Sequence, residues 1–67
     1  MEFENAIESY KEAIKYYDSP YTIARINFFI GMCFVQINRE DDACVFFKKM
    51  GHYRFHDSFK AAAKYCQ

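Results

Sequence analysis

The chain has 67 residues, 9 basic and 9 acidic side chains and a formal net charge of +0, and 52% of it is hydrophobic. A domain this small buries only about 60% of the surface its unfolded chain exposes, so there is room for one domain, 1–67, with a thin core. An aromatic content of 21% excludes a disordered segment, and zero net charge argues against a protein that blankets nucleic acid or acidic membrane.

Residues 2–17 read as the first helix. Phe3, Ile7, Tyr10, Ile14 and Tyr17 are spaced 4, 3, 4 and 3, a single helical stripe. Ala6 and Ala13 widen it with small residues that another helix could approach. Glu8 with Lys11 and Glu12 with Lys15 are i,i+3 pairs on a solvated face.

Asp18-Ser19-Pro20 breaks this helix and starts the next. Proline fits a first helical turn, and Ser19 is a suitable N-cap before it. The second helix spans 20–37, and its apolar residues point in nearly every direction around the axis. A helix apolar all round is buried on more than one side, so this is the central element. Asn38 tolerates the left-handed conformation that ends a helix. Glu40, Asp41 and Asp42 then open a third helix, 40–50, where acidic residues suit the positive end of the helix dipole. Gly51 stops it. His52 to His56 form a connector, and a fourth helix covers 57–66, with Ala61, Ala62 and Ala63 supplying helix propensity. No hairpin dipeptide and no strand pattern compete. The expected fold is all-α: four helices, short turns and antiparallel neighbours.

Cys33, Cys44 and Cys66 are odd in number and irregular in spacing, which is no disulfide framework. They read as small buried hydrophobes. The longest apolar run, Phe28 to Val35, is eight residues, against the roughly 20 that a membrane span needs. The N-terminal residues show no basic end followed by an apolar run. The expected location is the cytoplasm.

Residues 4 to 13 laid over 41 to 50, an offset of 37, align Ala6 with Ala43, Tyr10 with Phe47 and Lys11 with Lys48. Two like helices with another between them describe stacked helical hairpins. Ile30-Gly31, Phe34, Ala43 and Phe47 carry the same idea further. Their order and spacing resemble the tetratricopeptide repeat, a helix-turn-helix unit of about 34 residues. The chain departs from that pattern at Asn27, Asn38, Met50 and Phe55, and Ala62-Ala63 matches it poorly. The resemblance implies a solenoid segment packed through Ala6, Tyr10, Ile30, Gly31, Phe34, Ala43 and Phe47. It also implies that the chain begins in the second helix of one unit and ends in the first helix of another. That describes a slice of a longer array, or a short product that pairs with itself.

In this family the first helix of each unit lines a groove that binds a peptide or helix of a partner. By that resemblance Arg25, Phe28, Phe29, Met32 and Gln36 face the groove, and Lys60 and Lys64 could join them. Phe28 and Met32 stand where carboxylate-gripping members carry polar groups, so no carboxylate clamp is expected. An aromatic groove with a methionine suits an amphipathic helix. The competing reading is that these side chains are core. The expected function is therefore a protein–protein interaction scaffold without catalysis. The alternative is a self-associating bundle, a homodimer with no peptide ligand.

Other chemistries have less behind them. His52, His56 and the cysteines could ligate zinc only across separated helices, so no metal or cofactor is expected. No phosphate loop or nucleophile–base spacing points to an enzyme. Lys48, Lys49 and Arg54 with Tyr53 and Phe55 form a small basic cluster, but Asp41, Asp42 and Asp57 offset it, so no nucleic-acid partner is expected.

Overall fold

The fold is given by a computed structural model that describes residues 2–51, 53 and 56–66, the stretch 56–59 by its backbone alone. Its helices are α1 (Glu2–Ile14), α2 (Pro20–Gln36), α3 (Glu40–Lys48) and α4 (His56–Tyr65). All regular elements among the described residues are helical, as the apolar periodicity requires.

The boundaries differ from expectation by one to three residues, for local reasons. α1 stops at Ile14 because the next three amides turn to tighter i−3 acceptors: Lys15 on Glu12, Tyr16 on Ala13 and Tyr17 on Ile14, at 3.0–3.3 Å. The apolar stripe thus outruns its helix, and Tyr17 ends up exposed. α2 begins as its sequence dictates. Pro20 opens it, and the Thr22 N–H donates to the Ser19 hydroxyl oxygen at 3.3 Å.

Its far end is a Schellman turn. Asn38 takes φ 63°, the Arg39 N–H reaches the Phe34 carbonyl at 2.9 Å, and the Asn38 N–H reaches Val35 at 3.1 Å. α3 closes at Lys48, two residues early, and Gly51 follows at φ 65°. α4 starts at His56 rather than 57, and the Cys66 N–H still donates to the Ala62 carbonyl at 2.9 Å beyond its last residue.

α2 packs against both α1 and α3, and α4 lies on α3. The Cα envelope measures 31 × 30 × 16 Å, a slab rather than a ball. The core runs through its middle. Ile30 and Ala43 are wholly buried, joined by Ile7, Ala24, Ile26, Phe34, Phe47, Met50 and Ala61. Gly31 explains how α2 and α3 come so near. A Cβ built there would meet Phe47 Cδ1 at 2.7 Å and Cζ at 3.0 Å, with Cε1 closer still. The absent side chain is the space that the ring fills.

The set expected to pack the repeat divides. Ile30, Gly31, Phe34, Ala43 and Phe47 are buried, whereas Ala6 and Tyr10 are half-buried on α1. Asn27 stands where the repeat pattern wants a large aromatic, and it is buried too. Among the described residues no buried side-chain nitrogen or oxygen lacks a hydrogen-bond partner. Both expected α1 ion pairs form, Lys11–Glu8 at 3.7 Å and Lys15–Glu12 at 3.1 Å, and both are exposed. Such pairs add a few tenths of a kcal/mol each.

Candidate functional site

α2 has two faces. One, through Ala24, Ile26, Asn27, Ile30, Gly31 and Phe34, is committed to the core. The other runs through positions 21, 25, 28, 29, 32 and 36, one stripe of a 3.6-residue helix. Along it Tyr21, Arg25, Phe29 and Gln36 are exposed, and Phe28 and Met32 are half-buried. An exposed aromatic is unremarkable alone, but here the rings are continuous.

Phe28 and Phe29 lie with centroids 5.9 Å apart, and Phe28 continues to Phe47 at 5.9 Å. Tyr10 of α1 stacks on Phe29 at 5.8 Å and walls one side. The Arg25 guanidinium sits 5.9 Å from the centre of the Phe29 ring, in cation–π range. The stripe thus presents the exposed Phe29 ring, backed by the half-buried Phe28 and Tyr10, with the Arg25 cation at its edge.

The α4 lysines stand further off. Lys60 and Lys64 are both exposed. Lys64 places its ammonium 5.2 Å from the Tyr65 ring, and Tyr65 approaches Phe47 at 6.3 Å. Lys64 therefore reaches the α2 stripe through two rings, Tyr65 and Phe47.

Two contributors were not assigned to this stripe from the sequence. Tyr21 meets Tyr53 edge-to-face at 6.1 Å, extending the stripe toward the segment after α3. Tyr10 was assigned to packing, yet it also borders the open stripe. The period of α2 alone places Tyr21 one turn before Arg25, so that signal was present.

A cleft lies elsewhere, between α1 and the end of α2. Glu4, Ile7, Glu8, Lys11, Phe34, Ile37 and Arg39 line its volume of about 160 Å³. Arg39 and Lys11 sit 5.1 and 6.0 Å from the Phe34 ring centre. Arg39 is also held by Asp42 at 2.7 Å and Lys11 by Glu8, so the cleft's cations are already compensated.

The cysteines correct the sequence reading. Cys44 and Cys66 are joined in a disulfide with Cα atoms 5.1 Å apart, and Cys33 is free. Spacing gave no sign of it. The partners are 22 residues apart, and only the folding of α4 back along α3 brings them together. Cys33 keeps the expected character, half-buried among apolar side chains, and that burial pushes its thiol pKa up.

His52, Arg54 and Phe55, and the side chains of His56 and Asp57, lie outside the described residues. Among those described, no three His, Cys, Asp or Glu side chains gather into a group that could hold a metal ion. No helix of the described residues is long and apolar enough to cross a membrane. No family model matches the chain, and no curated protein or solved structure matches it either.

Proposed function

We propose that the chain is a tetratricopeptide-like solenoid segment whose α2 stripe binds a helix or peptide of a partner protein. It acts as an interaction scaffold and carries out no catalysis. One observation carries the reading: two exposed aromatic rings, Tyr21 and Phe29, flank the exposed Arg25 on the helix that also builds the core, with the half-buried Phe28 packed beside Phe29. A rigid helix presenting rings and one cation is suited to an amphipathic helical ligand with a carboxylate on its polar edge. The proposed location is the cytoplasm, and neighbouring repeats of a longer array remain candidate partners.

Selection of helical peptides against the full chain, followed by NMR mapping, tests this. Shifts centred on Arg25, Phe28, Phe29 and Met32 support it, as does loss of binding in Phe29→Asp with the fold intact. Shifts centred on the outer face of α1 overturn it. A stable dimer that buries the α2 stripe, seen by light scattering, would instead establish the self-associating bundle.

A further inference from the structure

We propose that the Cys44–Cys66 disulfide is a reversible redox switch that docks and releases α4. Cys44 lies in the second turn of α3, and Cys66 directly follows the last residue of α4. The bond therefore pins the far end of one helix to the side of another. Such a tie matters most where other contacts are few. Of the described α4 side chains only Ala61 is buried, Ala62 and Tyr65 are half-buried, and Lys60, Ala63 and Lys64 face solvent. Alanine contributes little apolar area, whereas α2 and α3 meet through the rings Phe28–Phe47 and Phe34–Phe46. Among the described residues the main helix contact of α4 is with α3, whereas α3 also packs against α2 and α2 against α1.

Chemistry at the bond is open to small reagents. Cys44 and Cys66 are both half-buried, not sealed. The thiolate of a small-molecule thiol such as glutathione attacks one sulfur, forming a mixed disulfide and releasing the other cysteine as a thiolate, which takes a proton. A second small thiol, as its thiolate, attacks the small-molecule sulfur of the mixed disulfide, forming the small disulfide and releasing the remaining protein cysteine as a thiolate that takes a proton. The sum is two small thiols oxidised to one small disulfide and the protein disulfide reduced to two thiols, with two electrons passed. Burial raises the Cys33 thiol pKa, which lowers its thiolate fraction.

Release takes the Tyr65 ring away from Phe47 and carries Lys60 and Lys64 off with α4. That last consequence for a bound partner rests on the proposed function; the switch itself does not.

The test uses the full chain, equilibrated with either oxidised or reduced glutathione. Alkylation counted by mass, and hydrogen exchange followed in 60–66, are the readouts. We expect one labelled thiol in the oxidised chain, Cys33, and three in the reduced chain. Exchange in 60–66 should quicken by about tenfold or more on reduction while α1 and α2 hold their protection. Cys44→Ser, or Cys66→Ser should the first fail to fold, should show the fast exchange without any reductant. Cys33→Ser should leave both states unchanged. Three labelled thiols after oxidation would overturn the proposal. So would α4 exchange that ignores reduction, or exchange that rises through α1–α3 as well, which would make the bond a staple of the whole fold.

Discussion

The ring of Phe47 occupies the place where a side chain on Gly31 would begin, with Cδ1 2.7 Å from the position of an absent Cβ. Two effects then compete in Gly31→Ala. Alanine gains about 1 kcal/mol of helix propensity over glycine. Overpacking against a ring that Phe28 and Tyr65 flank costs about 1–3 kcal/mol. We expect a net loss of about 1 kcal/mol, and a larger one for Gly31→Leu. In a Phe47→Leu background the clash eases, and Gly31→Ala should become stabilising relative to that parent. Thermal melting of the four chains checks this. A Gly31→Ala chain as stable as the parent would mean the contact is looser than described.

Ala43 is 0% exposed on α3, so Ala43→Leu should cost about 1–3 kcal/mol by the same overpacking. Val45, two residues on, is 49% exposed, and Val45→Ala should stay within about 0.5 kcal/mol. Denaturant midpoints of the two variants give the comparison.

The ends of α2 make opposite demands. Ser19→Ala removes the acceptor for the Thr22 N–H and should cost about 1 kcal/mol. Asn38 sits at φ 63°, where a β-branched residue is strained, so Asn38→Val should cost about 1–2 kcal/mol. Asn38→Gly should be neutral or slightly stabilising, because glycine enters that region freely. Asn38→Val melting with the parent would show that the turn relaxes to another conformation.

Arg25 can be changed with little effect on folding. Arg25 and Phe29 are both exposed, Phe29 at 37%, and their mutual contact spans 5.9 Å. Arg25→Glu should leave the melting temperature nearly unchanged, since an exposed cation–π pair is worth about 0.5–1 kcal/mol. Its effect should appear in peptide binding, read by fluorescence anisotropy with the selected ligand, and be greatest at low salt. Binding that Arg25→Glu does not weaken would remove Arg25 from the site.

Cys33 supplies a pH test. Burial favours its neutral thiol, so its pKa in the folded chain lies above the unfolded value. The associated stability is complete below the unfolded thiol range, near pH 8.5, and is lost as pH rises through the folded pKa. Cys33→Ser should flatten that alkaline decline. Alkylation of Cys33 near pH 8 should also run slower in the folded chain than in denaturant.

Local chemistry was legible in the residues. Ser19-Pro20 opens α2, Asn38 supplies the positive φ that ends it, and Gly51 takes a positive φ in the turn beyond α3. These features act over one turn, so a few neighbouring side chains suffice to determine them. The doubly apolar character of α2 likewise marked it as the central helix, since apolar residues on all sides need partners on more than one side. The pairing of Gly31 with Phe47 was only implied, through a repeat spacing.

Tertiary structure decided the remainder. Periodicity ran the stripe of α1 on to Tyr17, but the turn into Pro20 spends those residues on tighter hydrogen bonds. It also could not say which face of α2 stays open, because Phe28 and Ile30 are equally apolar and differ only in what α1 and α3 cover. The Cys44–Cys66 bond is the clearest case. Nothing in a spacing of 22 residues marks that pair, and the angle at which α4 returns along α3 sets their 5.1 Å Cα separation. A contact between helices depends on where both axes lie, and that position is settled only once the core between them has packed.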